Sequence, residues 1–213
     1  MTLPQAEQTT HADGATPTPM RKLISFMHVS LDGFTAGPNG ELEWAILDEE
    51  GTADVTALLR TVDTALYGRV TYQMMEGYWP TVPTNPASTE FERHHAHWVE
   101  GVQKIVFSRT LETVGWNNTR LIRENIAEEV GKLKQQPGQD LMIFGSPRIT
   151  HTLMHLGLID DYRINLNPVV LGSGTPLFKD IKDRIHLKLV ETRTFHSGVV
   201  GLHYRTQSHA NER

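Results

Sequence analysis

Cysteine is absent from all 213 residues. That absence excludes disulfides, thiolate nucleophiles and Cys-based zinc or iron–sulfur sites in one step. It also fits a reducing compartment, so a cytoplasmic location is expected. Long apolar runs are missing too: none approaches the roughly 18 residues that a membrane span needs. No basic run occurs and the net charge is −5, which argues against nucleic acid as the main partner. Neither standard nucleotide fingerprint is present, since there is no G-x-G-x-x-G and no G-x-x-x-x-G-K-[ST]. Gly172-Ser173-Gly174 is a G-x-G fragment and no more. What survives these exclusions is one soluble domain long enough to bury a full core.

The ends and the middle differ in composition. Residues 1–19 hold no aromatic and no Ile or Val, too little apolar surface to offset the entropy of ordering, so a disordered tail is expected there. They also lack the charged start and apolar stretch of a secretory signal. Residues 206–213 are polar and expected to fray. The working domain is therefore expected over 20–205, without an internal linker or repeat.

Within it, apolar runs mark strands. Leu23 to Val29 is nearly continuous and stops at Asp32-Gly33, which reads as a strand buried on both faces followed by a turn. Thr64–Gly68, Lys104–Ser108 and Leu141–Gly145 read the same way. Val55, Leu58, Leu59 and Val62 keep the i, i+3, i+4, i+7 spacing of an amphipathic helix starting near Thr52. Val70, Met74 and Met75 suggest another helix. Asn125 with Glu128, Val130 and Leu133 has the form of a capped helix. Ser146-Pro147 reads as an N-cap with proline at the first helical position, in a helix that stops at Gly157. Tyr162–Leu166, Leu187 with Leu189, and Val200 with Leu202 and Tyr204 alternate, the last beyond a turn at His196-Ser197-Gly198, so the chain closes in a hairpin. Strands interleaved with helices, then strands alone, predict an α/β fold: a mixed, mostly parallel central sheet flanked by helices and ending in an antiparallel hairpin.

In such a sheet, ligands sit beyond the carboxyl ends of the strands, and three ends carry suggestive residues. Gly145 and Ser146 stand where a new helix offers free N–H groups and a dipole that favour an anion. Gly68, Arg69 and Thr71 join a close-approach glycine to a guanidinium and a hydroxyl. Ser108 and Arg109 repeat the hydroxyl–guanidinium pair. Arginine gives phosphate a bidentate, permanently charged contact.

Together these stretches resemble the dihydrofolate-reductase-like superfamily, and within it the C-terminal reductase domain of the riboflavin-biosynthesis RibD proteins. The matching segments are Val29-Ser30-Leu31-Asp32-Gly33-Phe34, Tyr67–Tyr72, Ile105–Leu111, Ile143–Pro147 and Asn167–Gly172, in family order over about 21–204. The resemblance implies an NADPH-dependent reductase. Gly68, Arg69 and Thr71 would lie against the phosphates, Ser108 and Arg109 near the adenosine 2′-phosphate, and Gly145 and Ser146 at the pyrophosphate. Val29 and the loop 32–37 would lie beside the nicotinamide. It also implies a homodimer through the later strands, and a ribosylaminopyrimidine-type substrate by association only. The carboxylate that dihydrofolate reductases carry on the first helix has no safe counterpart: Asp54 is read as an ordinary first-turn acid. The zinc-bearing deaminase half of RibD proteins is missing.

For the proton or substrate-binding role the candidate is Asp32, just past the first strand, with Ser30 to bind ligand or order it; an ordinary Asp-Gly turn is the plain alternative. Glu41 and Trp44 are candidates for the substrate side, with a loop acid and a core aromatic as the preferred reading. Eleven histidines raise a metal hydrolase as a rival. His151 and His155 have a zinc-like i, i+4 spacing, yet on a helical wheel they stand roughly 200° and 240° from Ile149, opposite the core face. His94, His95 and His97 lie in a polar helix or loop. No metal site is assigned. A second rival is a module that binds NADPH or another small ligand without turnover.

Overall fold

Leu23–Ser30 forms β1 and runs through the centre of an eight-stranded sheet. The computed structural model describes residues 20–207, so the expected tail at 1–19 and residues 208–213 lie outside the described residues. After β1 come β2 (Phe34–Ala36), α1 (Glu49–Leu59), β3 (Val62–Gly68) and α2 (Arg69–Tyr78). A 3₁₀ stretch, Trp79–Thr84, then leads to α3 (Glu90–Gly101). The remainder is β4 (Gln103–Phe107), β5 (Thr119–Ile122), α4 (Ile126–Gln135), β6 (Asp140–Phe144), α5 (Pro147–His155), β7 (Asp161–Asn167), β8 (Thr175–Pro176), β9 (Leu187–Thr194) and β10 (Val200–Thr206).

The sheet order is β5-β4-β3-β6-β1-β7-β10-β9. Every pairing from β5 to β7 is parallel, and β10 runs antiparallel to both β7 and β9. β2 and β8 form a separate two-stranded ribbon. The five strands β4, β3, β6, β1 and β7 are largely buried, because helices cover both faces of the parallel part of the sheet. Leu23, Met27 and Val29 pack with Val130, Leu133, Ile149 and Leu153 of α4 and α5. Ile24 and Phe26 point the other way, onto Val55 and Leu59 of α1 and beside Phe91 and Trp98 of α3.

Several local expectations are corrected. α1 starts at Glu49, because Asp48 caps it by accepting the Gly51 amide at 2.7 Å. Asp54 is therefore in the second turn, where it pairs with Arg193 at 3.2 Å. Asn125 does precede α4, but with φ 54 and no side-chain cap bond; asparagine tolerates this left-handed conformation better than most residues. The segment holding His94, His95 and His97 is α3, opened by a capping box in which Thr89 and Glu92 each accept the other's amide. Thr206 completes β10, and the Gln207 amide donates to His186 O at 2.9 Å.

Candidate active site

β3, β4 and β6 all end on one edge of the sheet, and their carboxyl ends open onto a cleft of about 690 Å³. The chain leaves β3 for α2 on one face and β6 for α5 on the other, so a crevice forms where the two connections diverge. The cleft is lined at this edge by Gly68, Arg69, Thr71, Ser108, Arg109, Gly145 and Ser146. Thr35, Ala36 and Thr175 of the β2–β8 ribbon close one end of it.

Hydrogen bonds tie the two sides together. The Gly68 amide donates to Ser146 Oγ at 3.1 Å, and Thr71 Oγ1 donates to Gly145 O at 3.1 Å. Ser146 was expected to cap α5 with its hydroxyl; it sits at the cap position but makes this cross-strand bond instead. α2 and α5 thus both begin at the cleft without a side-chain cap, which leaves their first N–H groups for other partners. Ser108 Oγ accepts the amides of Thr110 and Leu111 at 3.2 and 3.0 Å and so fixes the turn that carries Arg109.

Four guanidiniums line the cleft: Arg69, Arg109, Arg123 and Arg148. Arg69 donates to Gln73 Oε1 at 3.2 Å and Arg123 to Glu112 O at 2.7 Å. None of the four has a carboxylate partner among the described residues. Four uncompensated cations beside two uncapped helix starts make a strong anion-attracting field. Arg123 was missed, and Arg148, though part of the Phe144–Arg148 strand end read for an anion, was not singled out. Arg148 directly follows Ser146-Pro147 and was legible as a neighbour; Arg123 follows β5, whose four residues gave no strand signal.

Val29, Ser30 and Asp32 do not line this cleft. Val29 is packed in the core on the α4–α5 side. Ser30 is fully buried; its hydroxyl donates to Asp32 Oδ1 at 2.6 Å and accepts the Phe34 amide at 2.9 Å. Asp32 also accepts the amides of Leu171 and Gly172 at 3.1 and 2.7 Å. The Ser30 hydroxyl, ahead of these amides, holds the Asp32 carboxyl below the usual carboxylate range. Glu41 binds Asn39 within its own turn, and the Trp44 indole donates to Glu41 O at 2.9 Å.

The outward-facing histidines of α5 each reach a backbone carbonyl, His151 half-buried and His155 still exposed. His151 Nε2 lies 2.9 Å from Pro176 O and 3.0 Å from Leu177 O, and His155 Nε2 lies 3.0 Å from Lys179 O. Carbonyls only accept, so these nitrogens carry the hydrogen. The ribbon is also sensitive to Gly174, with φ +149 and a Cβ position only 2.0 Å from Ala36 O. Gly174→Ala leaves no room for the added methyl, so a displaced ribbon and a lower unfolding midpoint are expected in a thermal melt.

A mostly parallel sheet of this order, with a cleft along its carboxyl edge, is the architecture of dihydrofolate-reductase-like proteins. Dihydrofolate reductase from Enterococcus faecalis, solved in complex with NADP(H), shares the fold at a TM-score of 0.57 and 14% identity, covering 88% of this chain and 97% of that one. The chain belongs to the RibD C-terminal domain family, whose profile matches residues 21–201. It is 42% identical over 184 residues to the uncharacterized protein YyaP of Bacillus subtilis (strain 168), which spans 86% of this chain and 94% of that one. A putative riboflavin biosynthesis protein from Shewanella sp. PV-4 has the same fold at a TM-score of 0.70 and 20% identity, over 88% of this chain and 99% of that one. Among the described residues, no helix is long and apolar enough to cross a membrane, and no three His, Asp or Glu side chains group to hold a metal.

Proposed function

We propose that this protein is an NADPH-dependent reductase that transfers hydride to a small heterocyclic or carbonyl/imine substrate, of the 5-amino-6-(5-phosphoribosylamino)uracil type. The observation that carries this reading is the convergence of four uncompensated guanidiniums and two uncapped helix starts on one cleft. Its volume of about 690 Å³ lies within the 300–1,000 Å³ that small-molecule and cofactor sites occupy. These residues fit a dinucleotide with several phosphates. Arg69, Gly68 and Thr71 would hold phosphate on the α2 side, and Gly145 and Ser146 on the α5 side. Arg109, fixed by Ser108, would meet the 2′-phosphate.

NADPH when bound supplies the hydride; the chain supplies orientation and electrostatics. Asp32 and Ser30 enter as positioning residues: by accepting the Leu171 and Gly172 amides, Asp32 ties the loop after β1 to the turn after β7. Those same contacts keep Asp32 ionised, with no proton to give at neutral pH. That favours the second reading, a ligand-binding module without turnover. A cytoplasmic homodimer is part of the proposal, and the outer strand β9 supports it by exposing Leu189 and Val190.

The test is a thermal shift with NADPH and with NADH, followed by a substrate screen for NADPH oxidation. Ligand at about 100 times its dissociation constant stabilises by about 2.7 kcal/mol, roughly 5–10 °C for a domain of this size. NADPH is expected to give a shift of that size and NADH a much smaller one. Arg109→Ala is expected to weaken NADPH about tenfold or more and NADH little. Equal losses remove the 2′-phosphate role from Arg109, and no shift with either nucleotide removes the reductase reading. Tight binding without turnover of any substrate leaves the binding module.

A further inference from the structure

The cleft runs along the sheet edge from the ends of β4 and β5, where Arg109 and Arg123 stand, past β3 and β6 to the β2–β8 ribbon. Thr35, Ala36 and Thr175 make the ribbon its end wall. The ribbon has three residues in one strand and two in the other, and an isolated two-stranded pair is marginally stable at best in water. Bonds at the ribbon join one strand to the other: Thr35 Oγ1 donates to Thr175 O at 3.0 Å, and the Leu177 amide to Gly33 O at 2.9 Å. Gly174 lies so close to Ala36 O that the two strands meet without slack. What fixes this small body to the domain has to come from outside it.

α5 supplies the anchor. Ile149 and Leu153 seat the helix in the core, and Leu177, just past β8, is buried in the same cluster. On the outer side of α5, His151 Nε2 shares one hydrogen between Pro176 O and Leu177 O, at 2.9 and 3.0 Å. One turn on, His155 Nε2 reaches Lys179 O at 3.0 Å, so the segment 176–179 lies along the helix. Pro176 pairs with Phe34 and Thr175 with Ala36, so a hold on the carbonyls of 176 and 177 sets where the residues of the end wall stand. α5 also lines the cleft with Arg148, Ile149 and Thr152, whereas His151 does not. His151 therefore ties the end wall to the helix whose first turn faces the ligand.

We propose that His151 is a positioning residue: its shared hydrogen bond holds the ribbon as a preformed end wall against which the nicotinamide half of the dinucleotide is seated. The inference rests on the reductase reading, which puts the 2′-phosphate at Arg109, and it specifies what receives the opposite end. An extended dinucleotide anchored at Arg109 directs its nicotinamide along the cleft to the ribbon. A wall held in place before binding does not have to be ordered by the ligand, so that ordering does not subtract from the affinity. Without the donor the ribbon is loosened, and the loss falls on contacts at that end while the adenosine end stays intact. The bond needs an N–H at the reach of Nε2, which a glutamine side-chain amide also offers.

The experiment is calorimetric titration of the full chain with NADP⁺ and with adenosine 2′,5′-bisphosphate, which keeps the adenosine and the 2′-phosphate but has no nicotinamide. His151→Phe is expected to weaken NADP⁺ binding about fivefold or more, the worth of one hydrogen bond, while the bisphosphate stays within twofold of wild type. His151→Gln is expected to bind NADP⁺ within twofold of wild type. His155→Phe, the same exchange one turn further on and outside the ribbon, is expected to leave both ligands within twofold. His151→Ala stands in for His151→Phe should that variant not fold. Equal losses of both ligands, or NADP⁺ affinity within twofold of wild type in the variant without the donor, overturn the inference. A His151→Gln variant no better than His151→Phe overturns it as well. Failure of the wild type to bind either ligand overturns the reductase reading and this inference with it.

Discussion

A His95→Phe variant is expected to lose stability on acidification by about 1.4 kcal/mol per pH unit less than the wild type between pH 6.5 and pH 4. His95 is 2% exposed on α3 and enclosed by aromatic rings: Trp79 at 4.2 Å, Phe144 at 5.2 Å, Trp98 at 5.6 Å and Phe91 at 5.8 Å. Its Nδ1 has no partner. Burial first, and the neighbouring His94 second, lower its pKa from 6.5 to about 4. The folded protein therefore holds a neutral imidazole where the unfolded chain takes up a proton. The contribution is fully present above the unfolded value of 6.5 and is lost as the pH falls through the window to about 4. Across that window the loss comes to about 3 kcal/mol for this one side chain. His28 has the same low value for the same reason and steepens the limb further. Domains of this kind hold roughly 5–15 kcal/mol in total, so the pair decides much of the acid stability. Urea midpoints at pH 7, 6, 5 and 4.5 check it. Parallel curves for wild type and variant mean that His95 is protonated in the folded state, and the enclosure argument fails.

His95 also shows what the sequence carries and what it withholds. From the sequence the segment of His94, His95 and His97 reads only as a polar helix or loop; the capping box of Thr89 and Glu92 is a finding of the structure, and nothing local separates His95 from His94 and His97. The helix wheel alone does not say which neighbouring aromatics, from 79 to 144 in the chain, will surround one of the three. β1, β3, β4 and β6 were legible because double burial writes a continuous apolar run. β2, β5 and β8, of three, four and two residues, are too short to write any pattern. The helix start at Pro147 was legible, since proline at a first helical position is a local signal. The hydroxyl of Ser146 was not: it bonds Gly68, a residue 78 positions away. The same limit applies to the candidate site. Gly68, Arg69, Ser108 and Gly145 each follow an obvious strand, so their convergence came from the topology. Arg123 depends on β5.

Arg21→Met is expected to lower the stability of the fold by about 3 kcal/mol, read as the shift of a urea unfolding midpoint at constant slope. Arg21 is 5% exposed just ahead of β1, and its guanidinium is shared among four partners. It donates to Gln139 O and to Asp63, to Thr64 Oγ1 at 2.7 Å, and to Leu133 O at 3.4 Å. One side chain thus joins the start of β1 to the beginning of β3, the end of α4 and the turn before β6. Methionine keeps the apolar stem but takes the Arg21 donor from Thr64 Oγ1 and Gln139 O and leaves Leu133 O only the Gln136 amide at 3.3 Å, and removing one side of such a network costs more than the bonds themselves are worth. Asp63 is 40% exposed, so water compensates it in part, and Asp63→Asn is expected to cost only about 1 kcal/mol. The local fit is tight as well: a Cβ on Gly138, at φ +151, would stand 2.6 Å from Asp63 Oδ2. The asymmetry between the two partners is the discriminating result. Equal losses for Arg21→Met and Asp63→Asn mean that the ion pair alone matters. A loss under 1 kcal/mol for Arg21→Met means that water reaches the carbonyls, and that the guanidinium does not hold the sheet's central strand to its neighbours.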